Sequence, residues 1–213
     1  MPATPILALP YPSASDTADV PRDIQALAVK LDGYTSLRPP LVTALPGSPV
    51  DGQECYFQNA AMDTAGVVWH LRYRQASSSA YKWEAVGQPA PLVQEITAAE
   101  STSSAAYVAL ATAGPAVTVP LAGEYDVDIG AYLVGGGNTG VYMSYDVGAT
   151  AALDVDSLHA IVTSAGYQFS ARRMRRKTIA AAATALTAKY RSSSSVASTI
   201  SERLMAVRPI RVG

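Results

Sequence analysis

Apolar and polar residues change their spacing along this chain, and each change marks an element. In "VPRDIQALAVKLDGY" the residues Val20, Ile24, Leu27 and Leu31 are spaced 4, 3 and 4 apart, the seam of an amphipathic helix of about three turns. Arg22, Gln25, Lys30 and Asp32 fall on the wet side. Pro21 suits a first turn, Asp23 complements the positive end of the helix dipole, and Gly33 sits where a helix closes. A helix this short is marginal alone, so its seam has two outlets: packing on its own domain, or meeting copies of itself around a symmetry axis. Residues 1–19 read differently, because Pro2, Pro5, Pro10 and Pro12 fix the backbone and remove donors. An extended peptide results, and Ile6, Leu7, Leu9 and Tyr11 are the side chains expected to dock along another protein.

From residue 34 onward the period shortens toward two. Pro46-Gly47 and Asp51-Gly52 are turn pairs, and "ECYFQ", "VVWHLRY" and "YKWEAV" are short runs rich in aromatic and β-branched residues. In the second run Val67, Trp69, Leu71 and Tyr73 alternate with Val68, His70, Arg72 and Arg74, so His70 belongs to the polar face. Past "GQPAPLVQEITAAESTSSAAY" the strands lengthen. Val117, Val119 and Leu121 share a face, and Tyr125, Val127 and Ile129 oppose Asp126 and Asp128. "GVYMSYDVG", "SLHAIVTSA", "YQFSARRMR", "ALTAKYRSS" and "SERLMAVRPIRV" follow at intervals suited to an antiparallel sandwich. The alanine-rich "TIAAAATALTAKYR" has helix propensity, but the surrounding alternation predicts two strands joined near Ala183. The fold class is therefore mainly β: an extended peptide and short helix (1–33), a small β meander (34–91), and an antiparallel sandwich (92–213).

Composition narrows the chemistry. With 213 residues, 49% apolar, the chain can bury a core. A formal charge of −1 gives no general basic field for nucleic acid or an anionic membrane. No apolar run approaches the ~20 residues needed to span a bilayer, and the N-terminal residues lack a basic leader and an unbroken apolar stretch. Cytosolic synthesis without a cleaved signal and without membrane insertion is expected. One cysteine excludes an intrachain disulfide framework and a multi-cysteine zinc site.

Three stretches invite a chemical reading, and each also has a structural one. Cys55 would be a nucleophile only beside a histidine base, and His70 and His159, the two histidines, stand in no recognisable signature; a small hydrophobe in a strand is the expectation. "ARRMRRK" crowds Arg172, Arg173, Arg175, Arg176 and Lys177 together, but no aromatic platforms are interleaved and strand geometry sends neighbours to opposite faces. Salt bridges to acidic residues such as Asp154 and Asp156 are expected instead of phosphate. "GGGNTG" at 135–140 lacks the lysine and spacing of a phosphate loop and reads as a loop tip. No catalytic, cofactor or metal residues are assigned.

The run "LPGSPVDGQECYFQ…GVVWHLRYRQASSSAYKWEAVG" resembles a pattern of bacteriophage tail-fibre, head-fibre and other minor virion proteins. "LPYPSASDTADVPRDIQALAVKLDGY" is similar to their N-terminal attachment segment, especially in actinobacterial phages, so the resemblance covers residues 9–87. "VPLAGEYDVDIGA" looks like the G-x-Y-x-V entry strand of the trimeric jelly rolls of complement and tumour-necrosis-factor-type heads and of phage fibre tips. The resemblance implies a virion component. Its expected form is a homotrimer seamed by Val20, Ile24, Leu27 and Leu31 and attached to other virion proteins through residues 1–33, with a host surface glycan or protein as a further contact. A capsid-decorating protein is the alternative. A carbohydrate-cleaving fibre would require two carboxylates clustered in a groove.

Overall fold

The computed structural model describes residues 19–33 and 39–213. The chain divides into two compact units, residues 1–41 and 42–213. In the first, α1 (Val20–Gly33) begins where the Asp19 carboxylate accepts from the Arg22 backbone N–H at 3.1 Å, an N-cap. Val20 and Ile24 are exposed and Leu27 is half-buried. Leu31 lies within the helix, its side chain outside the description, and Ile6, Leu7, Leu9 and Tyr11 lie outside the described residues.

The second unit is built of antiparallel strands, the first of which begins at the last residue of the first unit. Strands β1 (Leu41–Val42), β2 (Glu54–Phe57), β3 (Trp69–Tyr73) and β4 (Trp83–Ala85) come first; α2 (Ala60–Thr64), capped by Asn59, which accepts from Met62 N–H at 2.9 Å, lies between β2 and β3. Next come β5 (Leu92–Ile96), β6 (Glu100–Thr102), β7 (Ala116–Val119), β8 (Gly123–Val134) and β9 (Thr139–Val147). A 3₁₀ turn at Asp154–Asp156 precedes β10 (Leu158–Val162), β11 (Gln168–Ile179), β12 (Thr184–Ser192) and β13 (Ser198–Val212). The alanine-rich stretch is β, as its context predicts: β11 ends at Ile179, β12 starts at Thr184, and Ala183 turns the corner with φ +53°. Propensity loses there because every second residue of β12, from Leu186 through Ala188 to Tyr190, enters the core.

Pairing defines the architecture. β5 pairs with β13, β7 with β12, β8 with β11, and β9 with β10, all antiparallel. These pairs are nested: the outermost segments meet each other, then the next inward, down to the fold-back between β9 and β10. The doubled ribbon then rolls, so that β13 also pairs β8 and β12 also pairs β9. Among the described residues this gives one sheet ordered β10-β9-β12-β7 and a larger one containing β4-β13-β8-β11, with β5 and β6 on β13. Such a wound ribbon is a jelly roll.

Between the sheets, Tyr125, Val127, Ile129 and Leu133 of β8 face Val141, Met143 and Tyr145 of β9, with Met205 and Val207 of β13, all buried. The β2–β3–β4 meander continues the larger sheet, because Trp83 and Glu84 of β4 pair with Val212 and Arg211 of β13. Its core is continuous with the sandwich: Trp69 packs 6.2 Å from Phe57 and 6.2 Å from Tyr125, and its indole N–H donates to the Ala90 carbonyl at 3.0 Å. Trp69→Ala is expected to lower stability by about 3–5 kcal/mol, as for a large buried aromatic, and to broaden or split the thermal transition monitored by tyrosine environment; an unchanged melting curve would show that meander and sandwich are not one cooperative unit.

Candidate functional site

Cys55 can be placed first. It lies on β2 opposite Leu71 and is fully buried, whereas Glu54, Tyr56 and His70 occupy the other face. There His70 Nε2 stands 2.8 Å from Glu54 Oε2 and its ring lies 4.8 Å from that of Tyr56. The only histidine near Cys55 in sequence space is therefore across the sheet and engaged with a carboxylate. Burial pushes the thiol up to about 11 from 9.0, so Cys55 is a packed thiol and not a thiolate. Its contribution to stability is complete below 9.0 and fades as pH rises through about 11, since the unfolded thiol ionises first. In the native protein near neutral pH a thiol-specific reagent is expected to leave Cys55 unmodified until denaturant is added, and Cys55→Ser is expected to cost about 1–3 kcal/mol in chemical denaturation; rapid labelling of folded protein would refute the burial.

The basic run forms β11, an edge strand of the larger sheet. Alternation divides it. Arg172 and Arg176 point to the outer face, where Arg172 Nε donates to both oxygens of buried Asp128 at 2.8 Å and Arg176 Nε lies 3.4 Å from Asp126. Arg173, Arg175 and Lys177 point toward the other sheet's rim. Arg173 donates to the Ser157 and Val155 carbonyls at 2.7 and 2.9 Å, Lys177 Nζ lies 2.6 Å from Asp156, and Arg175 lies 3.9 Å from it. Asp156 is thus a counter-ion as expected, while Asp154 serves Arg191 instead, through contacts at 2.9 Å, and receives the Tyr107 hydroxyl at 2.8 Å. The hydrogen bond from Tyr107, with that from Arg191, holds the Asp154 carboxyl below its usual range.

Charged side chains directed both outward and inward on a strand paired along only one edge also block edge-to-edge pairing with other chains. Four of its five cations lie against Asp126, Asp128 and Asp156 and the fifth, Arg173, is spent on carbonyls, so the run has few free donors to offer a phosphate backbone. The full chain is expected to give no salt-sensitive mobility shift of duplex or single-stranded DNA at submicromolar protein; a shift that fell away with added salt would overturn this assignment.

One concave feature brings polar groups together. On the outer face of the larger sheet, strand register sets Glu95 (β5), Leu204 (β13), Gly130 (β8) and Arg172 (β11) in one row. Gly130 has no side chain, and a depression of about 250 Å³ opens over it, rimmed by Glu95, Glu202, Tyr132, Ser170 and Arg172. Its walls are held: Arg172 by Asp128, and the Tyr132 hydroxyl by donation to the Gln168 side-chain oxygen. Glu202 reaches the rim through a β-bulge. Ser201 pairs with Tyr132 and Leu204 with Gly130, so Glu202 and Arg203 together oppose Ala131. Glu202 takes φ +47° there, a conformation that costs a non-glycine residue about 1–2 kcal/mol. The bulge turns Glu202 outward and Arg203 inward, where the buried guanidinium donates to the Thr112 and Ala98 carbonyls at 3.2 and 3.1 Å. Sequence reading assigned none of Glu95, Tyr132 or Glu202. The one local signal was Gly130, an isolated glycine within a strong strand pattern, which marks a place where something approaches the backbone closely.

Among the described residues no group of three or more His, Cys, Asp or Glu side chains could hold a metal ion. No protein-family model and no curated protein matches the chain. Among solved structures, the chain is similar to that of the infectious bursal disease virus Gt strain, at 12% identity over 66% of this chain and 40% of that one, with a TM-score of 0.37. The infectious bursal disease virus VP2 subviral particle matches at 10% identity over 66% and 39%, TM-score 0.38. Dimeric latent PorU from Porphyromonas gingivalis matches at 14% over 81% and 19%, TM-score 0.31. The chain spans about two fifths of the length of the two viral chains. The jelly-roll assignment rests on the strand order itself and not on these likenesses.

Proposed function

We propose that the chain is a structural component of a phage virion, an oligomeric fibre or appendage protein attached through residues 1–33, with a jelly roll that carries its contact surface. The observation that carries this reading is α1. It is a capped helix of three to four turns whose Val20 and Ile24 are exposed at 64% and 61%, and apolar side chains at seam spacing on a short helix gain most by meeting their equivalents. Three copies would pool the apolar area that one such helix cannot supply, which favours a trimer. Further support comes from the resemblance of residues 9–87 to phage minor virion proteins, and from the jelly roll, an architecture that viral capsid domains and lectins both use. Fold alone fixes no activity, so the weight stays on the helix and the attachment segment.

The test separates attachment from folding. Full-length protein at micromolar concentration is expected to be a trimer by light scattering, and Ile24→Asp, which places a charge in the seam, is expected to shift it toward monomer while leaving the melting of the jelly roll unchanged. Removing residues 1–19 is expected to leave the oligomer intact but abolish incorporation into particles. A full-length monomer, or a truncated chain that still joins virions, would sink the reading.

A further inference from the structure

We propose that the depression over Gly130 binds a single neutral or amino-bearing pyranose ring. Its size is the first argument. At about 250 Å³ it falls below the roughly 300–1,000 Å³ of sites for larger ligands, which limits it to one ring with the remainder of a glycan in solvent. Its lining is the second. The Tyr132 ring and the Leu204 side chain supply apolar surface against which the C–H face of a sugar can lie, and around it stand groups suited to a rim of hydroxyls. Carboxylates accept from hydroxyls, a guanidinium donates to them, and Ser170 does either.

The balance of charge selects among sugars. Arg172 is already matched by Asp128, whereas the Glu95 and Glu202 side chains have no hydrogen bond or ion pair among the described residues. The depression is therefore negative in sum. A uronic or sialic acid would meet two carboxylates with one committed guanidinium to set against them, while hydroxyls or an ammonium group satisfy both acids. Pre-organisation is the third argument, since Tyr132 and Arg172 are pinned from outside the depression by Gln168 and Asp128, so little side-chain freedom is lost on binding. The strained backbone at Glu202 fits the same purpose: a residue held at positive φ by its surroundings is a common mark of a ligand-facing position.

The inference rests on the virion reading only for the source of the sugar, a host surface glycan; ring binding stands or falls alone. Gly130 provides the clean variant. A Cβ there would meet the Ala171 carbonyl oxygen at 3.7 Å, Leu204 Cβ at 3.8 Å and Arg172 Cγ at 3.9 Å, all ordinary contacts, so Gly130→Ala adds to the floor without forcing the sheet apart, and Gly130→Val, with its melting temperature as the check on folding, fills more of it. Full-length protein would be examined by ligand-observed saturation-transfer NMR with the methyl pyranosides of glucose, galactose, mannose, rhamnose, glucosamine and N-acetylglucosamine, and with methyl glucuronide. At least one neutral or amino sugar is expected to receive saturation and the glucuronide none. Binding is expected to weaken by about tenfold or more in Gly130→Val and in Glu202→Gln, with melting temperatures kept. No saturation of any sugar, preference for the glucuronide, binding unchanged in Gly130→Val, or cleavage of the glycosides in place of simple binding would each overturn the proposal. Failure of the truncated chain to behave as attachment requires would instead count against the virion reading alone.

Discussion

The pairing of β13 with β8 is the constraint on which the rest depends. Along one edge β13 follows β8 from Thr199↔Val134 to Val212↔Gly123; along the other it carries β6, β5 and β4 in turn. One strand thus joins the segment between β4 and β7, the jelly-roll sheet and the N-terminal meander. A one-residue slip in its register would move Met205 and Val207 out of the core and Arg203 into the wrong layer, because such a shift exchanges the two faces of a strand. The bulge at Glu202–Arg203 makes such a slip costly. Arg203 is fully buried and binds two loop carbonyls, and an arginine drawn inside without those acceptors would be left desolvated and unpaired. The same irregularity that locks the register delivers Glu202 to the outer face.

That coupling explains which parts of the fold were legible in advance. Strands β8, β9, β10, β12 and β13 announce themselves because alternate residues meet opposite environments, and the resulting period is local. β5 and β6 do not, although they complete the larger sheet. "LVQEI" and "EST" are short, with only Leu92 and Thr102 buried among them, and they are strands because β13 offers an edge to pair with, which is a tertiary fact. The boundary expected near residue 91 falls within a continuous sheet for a related reason, since the β4–β13 pair joins residues over 120 positions apart. The alanine-rich stretch shows the opposite case: residues 180–183 form the turn, and from Thr184 onward a local preference for helix is overruled by partners on both sides of β12.

The surface chemistry was legible only in outline. Opposition of Asp126 and Asp128 to an apolar face was visible in the alternation, as was the concentration of cations in "ARRMRRK", but their pairing required the register in which Arg172 and Arg176 lie beside Gly130 and Asp126. Three acidic residues then take up most of the run, and a stretch that composition alone would offer to nucleic acid becomes a closed edge. The depression over Gly130 was less accessible still. Its acids come from β5 and the bulge of β13, its guanidinium from β11 and its phenol from β8, so no window of sequence contains more than a fragment of it.

Oligomerisation and ring binding bear on each other through affinity. A site that encloses one sugar ring on an open sheet face has few contacts to spend against the loss of translational freedom, and a dissociation constant near the millimolar level, about −4 kcal/mol, is the natural expectation. Such a site is of little use to a monomer. Repeated on copies held by the proposed α1 seam, it would gain from effective concentration, which raises avidity by about 10²–10⁴ without a new contact, provided the spacing of the sites matches that of the glycans. Weak single sites joined by a short amphipathic helix are therefore mutually consistent proposals: the seam would convert a shallow polar depression into a surface that dissociates slowly from a dense glycan layer, and the depression would give the helix's symmetry something to multiply.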